Sequence, residues 1–558
     1  MPSSDGRDAA RPPRTDWVVF GVAAVLTLVF IVWGAVATGS LQGVSSRLLN
    51  ATMHNLGWAF VLVASGLVVF VLWVAFSKYG RITLGGEDEE PEFRTVSWVA
   101  MMFSAGMGIG LMFYGVNEPL THFTEPPPGT HEATAPPAAR MSTAMATTLF
   151  HWTLHPWSIY AVVGLAIAYG TFRRGRRQTI SAVFTPLIGA RHANGGAGKV
   201  IDVLAILATL FGSAASLGLG ALQIGSGVRE AGLGEAGIGL LIMIIALLTL
   251  AFVVSAVSGV AKGIQWLSNT NMVLAVALAL FLFVAGPTVL ILNLLPTSVA
   301  AYLGELAGLA GRTEATGGDE VAEWLSTWSV FYWAWWISWT PFVGMFIARI
   351  SRGRTIRQFV GGVILVPSLV SLVWFAILGG TAMSLEAGGA GLTREATAEG
   401  QLFAVLNQFP LVGVTTLLVM VLVGIFFVSG ADAASVVMGT LSQNGSLRPT
   451  RPVVVFWGVL TGAVAAIMLL LGGGGEAALT GLQNVTILAA VPFMLVMVAM
   501  CVALTRDLRH DPLILRGKRG VEIVHSAVES GHELYDDEFE LVISPADGDK
   551  DGDAERRE

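Results

Sequence analysis

Cysteine and charge are what this sequence has least of. One cysteine, Cys501, stands in 558 residues, which excludes an internal disulfide framework and a thiolate metal cluster. Charged residues make up 13% of the chain, about half the roughly 25% of a soluble domain. No nucleophile–base set or metal-spaced cluster is visible, which argues against an enzyme, and no ring of charged residues suggests a channel pore. A cleavable signal pattern is missing too, because the first apolar run, Trp17 to Ala37, is longer than a signal h-region and reads as a first span. Apolar mass takes the place of charge: 54% of residues are hydrophobic and the mean hydropathy is +0.69. The formal charge of −7 belongs to the end of the chain. Residues 521–558 hold 13 acidic and 3 basic side chains, so the rest carries +3.

Apolar runs long enough to cross roughly 30 Å of hydrocarbon recur along the chain. They lie near Trp17–Ala37, Gly57–Phe76, Trp98–Gly115, Thr143–Tyr169, Val203–Gly227 and Ile238–Val257, then near Asn271–Leu290, Ser329–Ala348, Val360–Met383, Val412–Met438, Pro452–Leu471 and Leu482–Leu504. The expectation is an all-α membrane protein of about twelve transmembrane helices. Loop charge agrees. With the N-terminus (Arg7, Arg11, Arg14) cytoplasmic, alternate loops carry the cations, among them Lys78 and Arg81, the cluster Arg173 to Arg177, Lys262, Arg349 to Arg357, and Arg448 and Arg451. The intervening loops, such as Glu118–Pro137, are poor in cations, and both termini fall inside. Residues 505–520 are basic and suit anionic lipid headgroups. Residues 521–558 read as a solvated, largely disordered tail, either regulatory or merely solubilising.

Two spans are irregular. The third contains Gly106, Gly108 and Gly110 at every second position, and each costs roughly 1 kcal/mol relative to Ala in a helix interior. The eighth contains Ser338-Trp339-Thr340-Pro341, where proline removes a backbone hydrogen bond. Unwound backbone at membrane depth is tolerated where it is buried or lines a cavity. Small-residue helix packing is the alternative for the glycines. If spans 3–7 and 8–12 are two repeats of five helices, both interruptions fall in the first helix of a repeat and the second copy is inverted, the pattern of a secondary carrier.

Aromatic residues crowd the fourth and eighth spans. Trp152, Trp157 and Tyr160 occupy a broad arc at about 100° per residue, and Trp336, Trp339, Phe342 and Phe346 an arc of about 120°. Trp17, Trp58 and Trp98 lie at span ends and suit an interfacial belt, whereas Trp336 and Trp339 sit several residues inside. A cage of ring faces is what a methylated ammonium requires, since it has no N–H to donate and each desolvated ring contact contributes about 2 kcal/mol. His151 and His155 read as structural residues, and Asp432, the acid within the tenth span, as either functional or a capping residue.

At these residues the chain resembles the betaine/carnitine/choline transporter family, over about residues 15–505. The resemblance is carried by Met101–Gly115, His151–Trp157, Ala208–Gln223 and, most specifically, Phe331–Pro341. It implies a LeuT-like 5+5 inverted repeat preceded by two extra helices, alternating access and a homotrimer. The parts are then a cytoplasmic segment 1–15, two helices in 16–97, repeat 1 in 98–295, an extracellular loop 296–328, repeat 2 in 329–504 and a cytoplasmic tail 505–558. The resemblance makes Trp152, Trp157, Tyr160 and Trp336 an ammonium box, with Trp339 on the path and Gly106, Gly108 and Gly110 against the substrate. It implies one sodium near Ser104, Met107, Phe426 and Ser429, and a second at Thr209 and Ser213 with Phe342.

This sequence departs from the family at Gly430, where a second hydroxyl beside Ser429 is missing. Gly110 departs from choline-specific members, which tend to carry Asp there, and so favours a zwitterion. The combined expectation is a secondary importer of glycine betaine or a related compatible solute, with Na+ as coupling ion, no cofactor and a role in osmoprotection. The alternative is proton-coupled or exchange transport of choline, carnitine or ectoine. An amino-acid symporter of the same fold would need polar contacts for a primary ammonium.

Overall fold

In the computed structural model the described residues are 14–106, 108–130, 133–235, 237–258, 261–395, 397–472, 477–536, 538–540 and 542. Met107 lies outside them, and so do the surroundings of Ser104 and Gly106. The chain forms two units, Met1–Leu504 and Thr505–Glu558.

The helices, in order, are α1 (Trp17–Val36), α2 (Thr38–Phe76), α3 (Thr95–Gly106), α4 (Ile109–Thr124), α5 (Pro137–Trp152), α6 (Leu154–Ala168), α7 (Thr185–Ala193), α8 (Gly196–Glu230), α9 (Ile238–Ser258) and α10 (Ala261–Ala285). There follow α11 (Thr288–Ala310), α12 (Gly318–Thr327), α13 (Ser329–Arg349), α14 (Ile356–Ala387), α15 (Leu392–Glu395), α16 (Gln401–Leu406), α17 (Val412–Ser442), α18 (Arg451–Leu471), α19 (Ala477–Arg509) and α20 (Pro512–Tyr535). Extended pairing among the described residues is confined to an isolated bridge, Thr83 with Thr355. All twelve expected runs fall on helices or on helix pairs. Nine helices among the described residues are individually long and apolar enough to span a bilayer.

The interruptions differ from expectation in an instructive way. The third run does break: α3 stops at Gly106 and Gly108 is extended (φ −166°, ψ 179°) before α4 begins. The fourth run, read as one helix, breaks at Thr153 (φ −119°, ψ −102°), so the wheel drawn through Trp152, Trp157 and Tyr160 does not apply as drawn. The eighth run does not break. Pro341 sits inside an unbroken α13. Proline cannot donate to the carbonyl four residues back, Ile337, but the Thr340 hydroxyl donates to that same oxygen at 2.7 Å. The orphaned acceptor is satisfied by the preceding side chain, and the helix continues.

Three further corrections follow. Residues 296–328, expected as a loop, are largely helical, with α11 running through Pro296 and α12 behind it. The span placed over Trp98–Gly115 extends through Thr124, which takes Glu118 out of a loop and into the middle of α4. The tail, expected to lack order from residue 521, continues as helix α20 to Tyr535.

The elements that carry the site pack around α13. It lies against α6 and α8, α4 packs on α5, α8 and α14, and α17 packs on α8. Trp17, at the start of α1, is exposed, as interfacial aromatics are; Trp58 is exposed too but stands in the middle of the 39-residue α2, not at a helix end as expected. Trp98 is not: it is 3% exposed, donates to Ser351 Oγ at 3.0 Å and carries the Arg354 guanidinium over its ring at 4.1 Å. Buried under a paired arginine, it joins the start of α3 to the segment before α14.

Candidate substrate site and adjoining cavity

The breaks in α3/α4 and α5/α6 bring backbone and rings to one place. Gly108 and Gly110 from α4, Trp152 at the end of α5, Trp157 and Tyr160 from α6, and Trp335, Trp336 and Trp339 from α13 line a cavity of about 40 Å³. Its walls are rings set edge to face, the favoured arrangement of aromatic quadrupoles. Trp152 meets Trp336 at 4.9 Å and 74°, Trp157 meets Tyr160 at 5.3 Å and 74°, and Tyr160 meets Trp336 at 6.2 Å and 77°. Trp335 stacks flat on Trp336 at 4.8 Å and 13°. All five of these rings are buried.

Gly110 is what lets the rings close. A Cβ there would lie 2.6 Å from Trp335 Cη2 and 2.9 Å from Trp152 Cη2, inside the distance that carbon atoms tolerate. Any side chain at this position, acidic or not, displaces two indoles. At Gly108 the nearest atom, Trp339 Cη2, is 3.9 Å away, and there a methyl group fits.

A second cavity of about 200 Å³ shares Gly108 and Trp339 with the first, so those two residues form the partition. Ser213 on α8, Phe342 and Phe346 on α13, and Phe426, Ser429 and Gly430 on α17 line it, as does the buried Asn271 on α10. Of the expected ion ligands, Ser213, Phe342, Phe426 and Ser429 thus meet at one cavity. Thr209, one turn before Ser213, is buried but not among the lining residues, and its hydroxyl donates to Ala205 O at 2.8 Å. Ser429 Oγ donates to Ile425 O at 2.8 Å, which leaves its lone pairs free to accept or ligate. A Cβ on Gly430 would meet nothing within 4 Å. Asp432, half-buried one residue from the lining Ala433, lines neither cavity. Among the described residues, those lining the two cavities include no Asp, Glu, Lys or Arg.

Sequence reasoning missed the carboxylate behind the box. Glu118 is 0% exposed. Its Oε2 accepts from Trp152 Nε1 at 2.6 Å and from Tyr332 Oη at 2.5 Å, and its Oε1 stands 2.6 Å from His151 Nδ1. His151, read as structural, is held on its other side by Ser329 Oγ at 2.8 Å. Its backbone carbonyl accepts from Trp336 Nε1 at 3.1 Å. Glu118, His122 and His151 each offer a ligand atom within 4.8 Å of the others, so the trio has the makings of a metal site. Both carboxylate oxygens are already engaged by Trp152, Tyr332 and His151, and the group acts in this structure as a hydrogen-bond hub. A signal for it existed. Gly110, Tyr114, Glu118 and His122 recur every fourth residue, which places the acid on the helix face that meets the box.

A family model described as the betaine/carnitine/choline family transporter matches residues 18–513. The chain belongs to the betaine/carnitine/choline transporter family. It is a multi-pass membrane transporter and not an enzyme. Among relatives of this family, the betaine/ectoine transporter LcoP of Corynebacterium glutamicum is 46% identical over 534 residues, covering 95% of this chain and 84% of that protein. The glycine betaine transporter OpuD of Bacillus subtilis is 44% identical over 88% of this chain and 94% of its own. Glycine betaine transporter 1 of Vibrio parahaemolyticus is 40% identical over 88% of this chain and 94% of its own.

Proposed function

We propose that this family member imports glycine betaine or a related compatible solute, coupled to sodium, as protection against osmotic stress. The observation that carries the reading is a cavity walled by Trp152, Trp157, Tyr160 and Trp336 with no charged side chain in its lining. Ring faces bind a quaternary ammonium without hydrogen bonds, whereas a primary ammonium has three donors to satisfy and the lining side chains offer only the hydroxyls of Tyr160 and Ser371 as acceptors. The relatives' names point the same way: they carry betaine and ectoine.

Sodium is supported by the second cavity. A zwitterion brings a carboxylate, and the lining holds no cation to meet it. Hydroxyl and carbonyl oxygens suit a small hard cation, and the hydroxyls of Ser213 and Ser429, the backbone oxygen of Phe426 and the ring of Phe342 along one cavity support that reading. Ser104, Met107 and Thr209 complete the proposed sites, with Gly106 against the substrate. The protein works as a homotrimer in the inner membrane with both termini cytoplasmic, and residues 505–520 contact anionic headgroups.

Uptake of radiolabelled solutes into vesicles tests this. Betaine uptake that collapses when potassium replaces sodium is expected, with ectoine as a weaker substrate. Uptake of proline but not of betaine would refute the ammonium box. Sodium-independent uptake driven by a proton gradient would remove the ion assignment.

A further inference from the structure

Two walls of the box described above, Trp152 and Trp336, come from different helices, and both indole N–H groups are held by acceptors. Trp152 donates to Glu118 Oε2 at 2.6 Å. Trp336 donates to the carbonyl of His151 at 3.1 Å, and the ring of that same His151 is clamped between Glu118 Oε1 at 2.6 Å and Ser329 Oγ at 2.8 Å. One carboxylate therefore holds one wall directly and the other through a single intermediate residue. Ring–ring packing alone leaves an indole free to slide or tilt, whereas a charge-assisted bond to a fully buried acceptor fixes its edge.

We infer that Glu118 is a positioning residue for substrate binding, setting the distance and tilt between Trp152 and Trp336 and so the size of ammonium head that the box accepts. The inference rests on the betaine reading. Glu118 reaches the substrate only through Trp152 and His151, because it lines neither cavity. Affinity should thus follow the geometry of its bonds more than its charge. Gln keeps the shape: its amide oxygen accepts from Trp152 and Tyr332, and its amide nitrogen donates to His151 Nδ1 once that imidazole carries its proton on Nε2 and gives it to Ser329. Ala keeps none of the three bonds and leaves the Trp152 indole N–H and the Tyr332 hydroxyl without the acceptor they share.

The test is betaine affinity by titration calorimetry on purified, monodisperse full-length protein, with uptake kinetics alongside. E118A is expected to weaken betaine binding about thirtyfold and E118Q about fivefold, the loss of a buried charge-assisted bond against its replacement by a neutral one. The ratio of betaine to ectoine affinity should fall towards unity in E118A, and KM should rise more than the maximal rate falls. In a W152F background, which lacks the indole N–H, the effect of Glu118 substitution should shrink at least about twofold without vanishing, because the path through His151 to Trp336 remains, and an undiminished effect would overturn the inference. Where E118A yields no folded protein, E118Q measured in both backgrounds carries the same comparison. An E118A protein that binds betaine within twofold of the wild type would overturn the inference. So would E118Q as weak as E118A, which would mark the charge itself as what matters. Absence of betaine binding by the wild-type protein would overturn the betaine reading, and this inference with it.

Discussion

At the scale of single residues, the proposed site divides into aromatic side chains that would face the solute and small residues that leave room beside them. Trp336 is of the first kind: 5% exposed, stacked on Trp335 and edge-on to Trp152, it presents a ring face to the box. Replacing it by Leu keeps the volume apolar and removes the quadrupole, so W336L should weaken betaine binding by about 1–2 kcal/mol. Affinity by titration of the purified protein checks this, and an unchanged value would remove Trp336 from the box. Gly430 is of the second kind. The space beside it is open, next to Ser429 and on the same cavity wall, so a serine fits and adds an oxygen beside the Ser429 hydroxyl. G430S should lower the sodium concentration for half-maximal uptake several-fold, by roughly the 1 kcal/mol that one added polar contact contributes. A sodium dependence that does not move would show that the ion lies elsewhere.

At the scale of elements, α13 shows how a proline can be carried through a membrane helix. The Thr340 hydroxyl covers the carbonyl that Pro341 leaves unpaired, so T340V, equal in shape but without the donor, should expose a buried acceptor at a cost of about 1–3 kcal/mol. The expected result is a lower melting temperature in detergent than for T340S, which keeps the hydroxyl. This is also where the sequence misled. A Ser-Trp-Thr-Pro run reads as a break, because proline's missing donor is visible in the residue types and the local acceptor–hydroxyl geometry that repairs it is not. The break at Thr153 left a trace of its own: Pro156, in the first turn of α6, has no N–H for the carbonyl of Trp152 four residues back. Legible elements were those with strong hydropathy, the twelve runs, and the Gly-x-Gly-x-Gly break. The aromatic set Trp152, Trp157, Tyr160 and Trp336 was legible as a cluster, although the rule that grouped it, a continuous wheel, does not hold through Thr153. Glu118 was masked by hydropathy, although its four-residue spacing from Gly110 and Tyr114 marks its face. The Asn-Glu-Pro triplet at 117–119 ends an apolar run, and a charged residue at such an edge reads as loop until the buried partners that satisfy it are known.

At the scale of the molecule, the ends of distant helices are tied together near the start of the chain. Asp16 caps α1 by accepting from the backbone of Val18 and Val19, pairs with Lys199 on α8 at 2.9 Å, and gives its own N–H to Ser442 O at the end of α17, 2.9 Å away. Burial pushes its carboxyl up, but the Lys199 ammonium and the two amide donors outweigh it and hold the group below the usual aspartate value. The sign follows from linkage. A carboxyl lowered in the folded state contributes stability that is complete above its unfolded value near 3.8 and is lost as pH falls through the folded one. Melting curves of wild-type and D16N protein, in which Asn still caps α1, should therefore differ at pH 7 by up to roughly 1 kcal/mol for the lost ion pair, and converge as pH falls below 3.8 and through the lowered value of the folded carboxyl. A gap that persists in acid would assign the effect to packing.

The flat pair Trp335–Trp336, 4.8 Å apart and 13° from parallel, has an optical consequence. Two indoles this close share their excited states, and the coupling depends steeply on their mutual angle and distance. Trp336 is also a wall of the solute cavity, so a solute that parts the box changes that angle. The protein thus carries an unlabelled optical reporter of its own occupancy. A near-ultraviolet dichroism band that shifts on adding betaine, and disappears in W335F, would read the site in vesicles and in detergent alike.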